Sequence, residues 1–386
     1  MTEPARVHDS EAVAAPPSES IDRLPGPDVV RALALIGVAV MNYHGYLLIR
    51  GGTRPDATVF DRFFDPFAGP LSTRFASTFV FTAGVGIVLL TRRVVADRQA
   101  GRADAEQAIT EMRWRLVRRG VALYVLGQVL DVIWAGTIIL YYGAMFVLAA
   151  VLFTLSSRWI ASIGAAAALG GWAVAAWAFR QVENGESVDW LTRPGQDSIR
   201  RYVFELTVNG THPLLPWLAF LCAGIVVGRL MWQPGWRAWC GGVGTALFAV
   251  AYVVSESATT PFEAVLLSRD PFDRGVVYVA SALGSTLVAF AAISWVADRA
   301  VAAGGLGARL VDPLRRAGQM TLTLYIVHIL VFNLVVDWLD LIQPAGLGTA
   351  LLFALAFWVV AITAGTEWNR RFGRGPAERV YRAIGG

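Results

Sequence analysis

Four polar side chains stand in one apolar stretch, Arg23 to Tyr46: Asp28, Arg31, Asn42 and His44. An ionised group well inside a membrane helix costs about 2.5–3.5 kcal/mol on insertion scales, so such groups face protein or water. At about 100° per residue, Asp28, Arg31 and Asn42 fall within an arc of about 60°, and His44 points nearly the opposite way unless the helix loosens near Gly45. Asn42 lies about 20 Å along the helix from Val29. An amide there can position an acyl carbonyl or donate to a developing oxyanion. His44, near the outer end, has an ordinary pKa of about 6.5 and is a candidate general base for a hydroxyl or amine acceptor. Asp28 and Arg31, three residues apart, form either a weak ion pair or a cofactor site in which Arg31 holds an anionic phosphate.

A second cluster lies in MTLTLYIVHILVF, where Thr321, Tyr325, His328 and Phe332 share a helix face. His328 is about 13 Å along from Gln319 and needs a partner at that depth; a structural and a functional histidine are both open. His212, in THPLLPWLAFLCAGIVVGR, sits at an outer helix mouth shaped by Pro213 and Pro216, with Trp217 suited to anchor the interface. Arg74 opens STRFASTFVFTAGVG on the outer side, as a helix anchor or a partner for an outer carboxylate. His212 and Arg74 are candidates on the substrate side. Gly84 and Gly86 read as sites of close packing. No metal-ligand spacing, phosphate loop, dinucleotide fingerprint or nucleophile elbow is present, and Cys222 and Cys240 make neither a disulfide framework nor a metal site.

The elements that must carry these residues are membrane helices. The chain has 386 residues, 55% hydrophobic and 16% charged, with mean hydropathy +0.52. That predicts an all-α polytopic helix bundle in a lipid bilayer. At about 20 apolar residues per span, about ten spans are expected: 29–49, 74–91, 115–133, 138–155, 159–179, 213–230, 238–255, 275–297, 319–338 and 346–365. All basic residues are arginine, and they gather at helix ends, densest between Arg92 and Arg119. This places that segment and both termini in the cytoplasm. The net charge of +4 is a membrane-anchoring pattern and not a nucleic-acid signal. Residues 1–22 read as a disordered cytoplasmic tail and not a signal peptide, 23–369 as the transmembrane domain, and 370–386 as a basic cytoplasmic tail. Three outer loops, 50–73, 180–212 and 255–274, carry carboxylates and aromatics, either as plain solvated loops or as a substrate mouth. The Ala- and Gly-rich 161–178 stretch reads as packing.

Taken in order, the segments resemble the transmembrane acyltransferase superfamily, which includes heparan-alpha-glucosaminide N-acetyltransferase and bacterial membrane proteins with DUF418 and DUF1624 domains. The first-helix pattern is Arg23, Asp28, Arg31, Asn42 and Tyr43. FASTFVFTAGVG is similar to the second helix, HPLLPWLAFLCAGIVVGR to the PL-x-PW segment, AGQMTLTLYIVHILVF to the late helix with Tyr-x2-His, and RFGRGPAERVYR to the closing Gly-Pro-x-Glu segment. The resemblance implies transfer of an acyl group, most simply acetyl, from acyl-CoA in the cytoplasm. The acceptor would be a hydroxyl or amine of an extracytoplasmic sugar or lipid. It implies catalytic roles for Asn42, Tyr325 and His328; from the lack of ligand spacing, no metal is expected. His44 does not match the family's outer-loop histidine in spacing and stands here as an inferred substitute; His212 or an outer carboxylate is the other choice. The expected location is a bacterial cytoplasmic membrane; a homodimer stays open. The competing readings are a transporter lined by the same polar groups and a non-catalytic membrane protein.

Overall fold

The structure, a computed structural model, describes residues 24–52, 58–192 and 199–386. Arg23, Asp56 and the expected 1–22 tail lie outside the described residues. In chain order the helices are α1 (Pro25–Ile49), the short α2 (Val59–Phe63), α3 (Arg74–Gln99), α4 (Ala105–Asp131), α5 (Ile138–Leu152), α6 (Ser157–Glu183), the short α7 (Asp189–Thr192) and α8 (Ile199–Phe204), α9 (Leu214–Leu230), α10 (Trp236–Ser255), the short α11 (Pro261–Leu266), α12 (Val276–Ala303), α13 (Gly305–Gly318), α14 (Thr321–Phe332), α15 (Leu347–Phe372) and α16 (Pro376–Gly385). π-helical turns follow α8 and α14, over Glu205–Asn209 and Asn333–Trp338. No strand occurs among the described residues. A backbone in lipid must satisfy its own hydrogen bonds, and apolar runs of this length do so as helices.

Every expected span is a helix. Among the described residues, seven helices are long and apolar enough to cross a membrane, or eight if Ile199–Asn209 and Leu214–Leu230, bent by 51°, form one span. The expected count of about ten exceeds this by α4 and α5. α5 has 15 residues, about 22 Å of helix, against a hydrocarbon layer of about 30 Å. α4 is long enough, but its N-terminal half carries Arg113, Arg115, Arg118 and Arg119. The two pack along each other as a hairpin. The arginine-dense segment between Arg92 and Arg119 holds the end of α3, a short turn and the start of α4. Residues 370–386 are folded: they complete α15 and form α16, which packs on α4 and α14.

α1 is the hub. It contacts α3, α12, α13, α14 and α15, and Val30, Leu35, Ala39, Tyr43 and Leu47 along it are fully buried. Its start is pinned by chemistry as well as packing. Pro25 occupies the first turn, where a missing N–H costs nothing. The Gly26 N–H donates to Asp298 Oδ1 of α12 at 3.0 Å, and Asp298 also pairs with Arg237 of α10. Close helix approach in lipid needs small residues. At the α3–α9 crossing a Cβ on Gly224 would stand 2.0 Å from the Phe81 carbonyl oxygen.

Candidate active site

α1 and α14 run side by side in the same direction. Three contacts mark this, in the same order along both. Gln319, just before α14, donates to Asp28 Oδ2 at 3.1 Å; Asn42 meets His328; Arg50 pairs with Asp337. Tyr43 sets the height of one helix against the other. Its hydroxyl donates to the His328 carbonyl at 3.0 Å, and its ring stacks on Phe353 of α15 at 4.5 Å between centroids.

His328 is fully buried. Its Nδ1 bonds the Tyr325 carbonyl one turn back. A carbonyl only accepts, so Nδ1 carries the proton and Nε2 keeps a lone pair. That lone pair faces Asn42 Nδ2 at 3.5 Å, the long limit of a hydrogen bond. An imidazole whose Nε2 is held only by this long contact to an amide donor can take a proton while the amide stabilises an anionic oxygen. The Tyr325 ring lies 4.8 Å from His328, edge-on. Its hydroxyl is 3.1 Å from Thr137 Oγ1 and accepts the Ile138 N–H at 3.3 Å, which satisfies an otherwise orphaned donor in the first turn of α5.

A cavity of about 530 Å³ leads to Tyr325, beside His328, from the N-terminal ends of α1 and α14. Its mouth carries Asp28, Arg31, Arg92, Arg119, Glu378 and Arg382, its walls are apolar at Phe79, Ile87, Leu123 and Phe146, and Tyr142 of α5 and Tyr325 of α14 line it as well. Arg31 is held against α3 by a bond to the Thr82 carbonyl at 3.1 Å, and a Cβ on Gly86 would come within 2.8 Å of its guanidinium. The Arg92 guanidinium stands over Trp232 at 4.9 Å, and that of Arg119 over Tyr381 at 5.3 Å. Buried polar atoms are nearly always paired. Around this cavity Arg119 Nε, Tyr142 Oη and Tyr381 Oη are buried without a hydrogen-bond partner. Burial holds the Tyr381 hydroxyl well above its ordinary pKa, with Arg119 and Arg31 pulling the other way. Tyr381 is therefore a protonated donor at neutral pH.

Beyond His328 the path is covered. Trp134 meets the His328 ring edge-on at 5.6 Å and stacks on Tyr46 at 3.7 Å. The Tyr46 hydroxyl donates to the Ala135 carbonyl. Arg50 grips Asp337 with two bonds, of 2.5 and 2.7 Å.

The sequence candidates thus divide. Asn42, Tyr325 and His328 come together, and Asp28 and Arg31 line the cavity that reaches Tyr325. His44 does not join them. α1 stays regular through Ile49, so the 100° count holds, and His44 is buried with Nδ1 2.9 Å from the Phe64 carbonyl, tying down the 50–73 loop. Arg74 and His212 lie in a separate cluster. Arg74 stands over Tyr278 at 5.6 Å and keeps one buried nitrogen unpaired. His212 packs between Tyr141 and Trp217 with Nδ1 unpaired. Beside them Arg274 caps the π turn through the Asn209 and Gly210 carbonyls, both at 2.9 Å.

Arg119, Tyr142, Trp134, Glu378 and Tyr381 were not singled out by sequence reasoning. Arg119 was visible only as one of many inner arginines. Glu378 lay in a recognised closing segment, but nothing local tied it to α14. Among the described residues no group of three or more His, Cys, Asp or Glu could hold a metal.

A family model described as heparan-alpha-glucosaminide N-acetyltransferase, catalytic, matches residues 23–257. A second, described as a protein of unknown function (DUF418), matches residues 232–385. No curated protein and no solved structure matches the chain. Asn42 lies in the first matched segment and Tyr325 and His328 in the second, so the cluster is built from both. The first match covers more than half of the chain, with α1 and its polar stripe inside it, and the protein therefore belongs to the heparan-alpha-glucosaminide N-acetyltransferase catalytic family, a family of transmembrane acyltransferases.

Proposed function

We propose that this membrane protein transfers an acyl group, most simply acetyl, from acyl-CoA at the arginine-lined mouth to a hydroxyl or amine that reaches His328 from the opposite end. The observation that carries the reading is the continuity of the cavity, from Arg31 and Arg119 at one end to Tyr325, next to His328, at the other. Its size suits a cofactor-sized ligand. The donor chemistry suits the lining. Arg31, Arg92, Arg119 and Arg382 answer phosphate charge, the unpaired Tyr381 hydroxyl adds a donor, and the apolar wall accepts a thin, weakly polar arm.

His328 Nε2 takes the proton as the acceptor oxygen or nitrogen bonds to the acyl carbon. The carbon–sulfur bond breaks, and the proton passes to the departing thiolate. Asn42, and Tyr325 once its bond to Thr137 loosens, donate to the oxygen on which charge develops. The acceptor's approach requires the Tyr46–Trp134 stack to part. Arg74 and His212, each with an unpaired nitrogen, are the candidates to meet the acceptor beyond it. The arginine bias of the sequence favours a cavity mouth on the cytoplasmic side of a bacterial membrane.

The test needs no knowledge of the acceptor. Thermal unfolding of the detergent-purified protein is followed with acetyl-CoA and with free CoA. Ligand at about 100 times Kd adds roughly 2.7 kcal/mol of stability. A rise in midpoint that is lost in Arg31→Ala and Arg119→Ala supports the donor site. No rise with acetyl-CoA or longer acyl-CoAs would overturn it.

A further inference from the structure

The first turn of α14 has no cap of its own. Met320 stands at the N-cap position and offers no side-chain bond. An uncapped helix leaves its first N–H groups without partners. Here the cap comes from the other end of the domain. Glu378 Oε1 accepts the Leu322 N–H at 2.7 Å and the Thr323 N–H at 3.1 Å, and its Oε2 accepts the Thr323 hydroxyl at 2.5 Å. The Thr323 oxygen in turn accepts the Ala377 N–H at 3.1 Å. A carboxylate thus sits on the positive end of the α14 dipole, with its charge matched by backbone donors. The approach is close: a Cβ on Gly375 would lie 2.2 Å from Glu378 Oε2.

The same helix walls the donor cavity. Tyr381 and Arg382 line it with Glu378. The far end of α16 is locked to α4, where Arg118 donates to the Gly385 carbonyl at 3.1 Å. α14, gripped by α16 at its start, carries Tyr325 and His328 within the next two turns.

We propose that α16 is a C-terminal brace and Glu378 a positioning residue. Its carboxylate fixes the rotation and height of α14, and so aims Tyr325 and His328 at Asn42, while the outer turn of α16 forms part of the donor wall. The catalytic half of this inference rests on the acyl-transfer reading; the bracing half does not.

The experiment uses the full chain in lipid nanodiscs, with Glu378→Ala and Glu378→Gln compared with the parent. Amide hydrogen exchange is read across residues 322–328, with α10 as internal control. In parallel, thiol release from acetyl-CoA is measured with glucosamine as acceptor probe. In Glu378→Ala, exchange at Leu322 and Thr323 rises about tenfold, the scale of a lost helix cap, while α10 is unchanged. The kcat falls by a similar factor, and KM for acetyl-CoA moves less than threefold. Glu378→Gln, whose amide oxygen still accepts, recovers most of both. Unchanged exchange in Glu378→Ala would overturn the brace; a loss carried by KM with kcat intact would overturn the positioning role. If Glu378→Ala does not fold, Thr323→Val removes the hydroxyl's two bonds, to Glu378 and from Ala377, while leaving both backbone bonds of the cap, and is read the same way. Absence of turnover in the parent would count against the acyl-transfer reading, and the exchange arm would still decide the brace.

Discussion

At the N-terminal end of the α1–α14 pair, buried polar atoms stand unmatched; at the C-terminal end, the polar side chains that α1 and α14 themselves carry are matched, though Arg50 and Asp337 are partly exposed. Arg119 Nε, Tyr381 Oη and Tyr142 Oη line an open cavity without partners. Some 20 Å further along, Arg50 is paired through Nε and Nη2 with Asp337, the Tyr46 hydroxyl is bonded to Ala135, and His44 is bonded to Phe64. Both ends are rich in arginine, tyrosine and carboxylate, so composition does not separate them. What separates them is satisfaction. Desolvating a polar group without a partner costs about 1–3 kcal/mol, and a folded protein keeps such a cost where a ligand relieves it. On the acyl-transfer reading proposed above, the first end receives the donor and the second keeps the bundle shut until the acceptor enters.

The comparison can be broken where the two ends meet. Asn42→Ala and His328→Ala, with folding checked by thermal unfolding, are expected to lower acetyl transfer at least 100-fold, the scale of a lost acid–base or oxyanion group. Undiminished turnover in both would remove the site. At the open end, Arg119→Ala is expected to weaken acetyl-CoA binding about tenfold or more, as for a lost charge-assisted bond. Titration calorimetry reads this, and unchanged affinity would mean that the unmatched nitrogen awaits no phosphate. At the closed end, Asp337→Asn leaves a half-exposed pair weakened. It is expected to lower stability by no more than about 1 kcal/mol and to leave acetyl-CoA affinity unchanged. A change in affinity as large as that of Arg119→Ala would abolish the distinction. The smallest effect belongs to the 255–274 loop. Bonds from Thr259 and Thr260 hold the Glu263 carboxyl at about 2, below its ordinary 4.5. A depressed pKa stabilises the folded form above the unfolded value and loses that contribution as pH falls through the folded one. The α11 cap is therefore expected to stay intact above about pH 4.5 and to fray as pH drops towards about 2, seen as faster amide exchange at Glu263 with the spans unaffected.

Helix arithmetic on α1 was sound in detail. It put Asp28, Arg31 and Asn42 on one face and His44 on the other, and α1 keeps that geometry to its end. The inferred substitution of His44 for the family's outer histidine ran against the same arithmetic, and the structure leaves His44 on the loop side. The expectation that His328 needs a partner was also legible, because a lone imidazole in lipid is costly. The partner's identity was not: Asn42 lies 286 residues away. The arginine-rich segment from Arg92 to Arg119 reads as a membrane anchor and 370–386 as a basic tail. Only their packing turns Arg119 and Arg382 into one cavity mouth.

By itself the sequence determined where the helices run, since apolar stretches in a bilayer have no other way to satisfy their backbones, and which face of each is polar, since 100° per residue is a local rule. The tertiary structure alone decided which polar faces meet. The Asn42–His328 contact, the cap that Glu378 places on α14 and the unpaired Arg119 beside Tyr381 all join residues far apart in the chain. Their distances follow from how whole helices pack, and no local pattern encodes that.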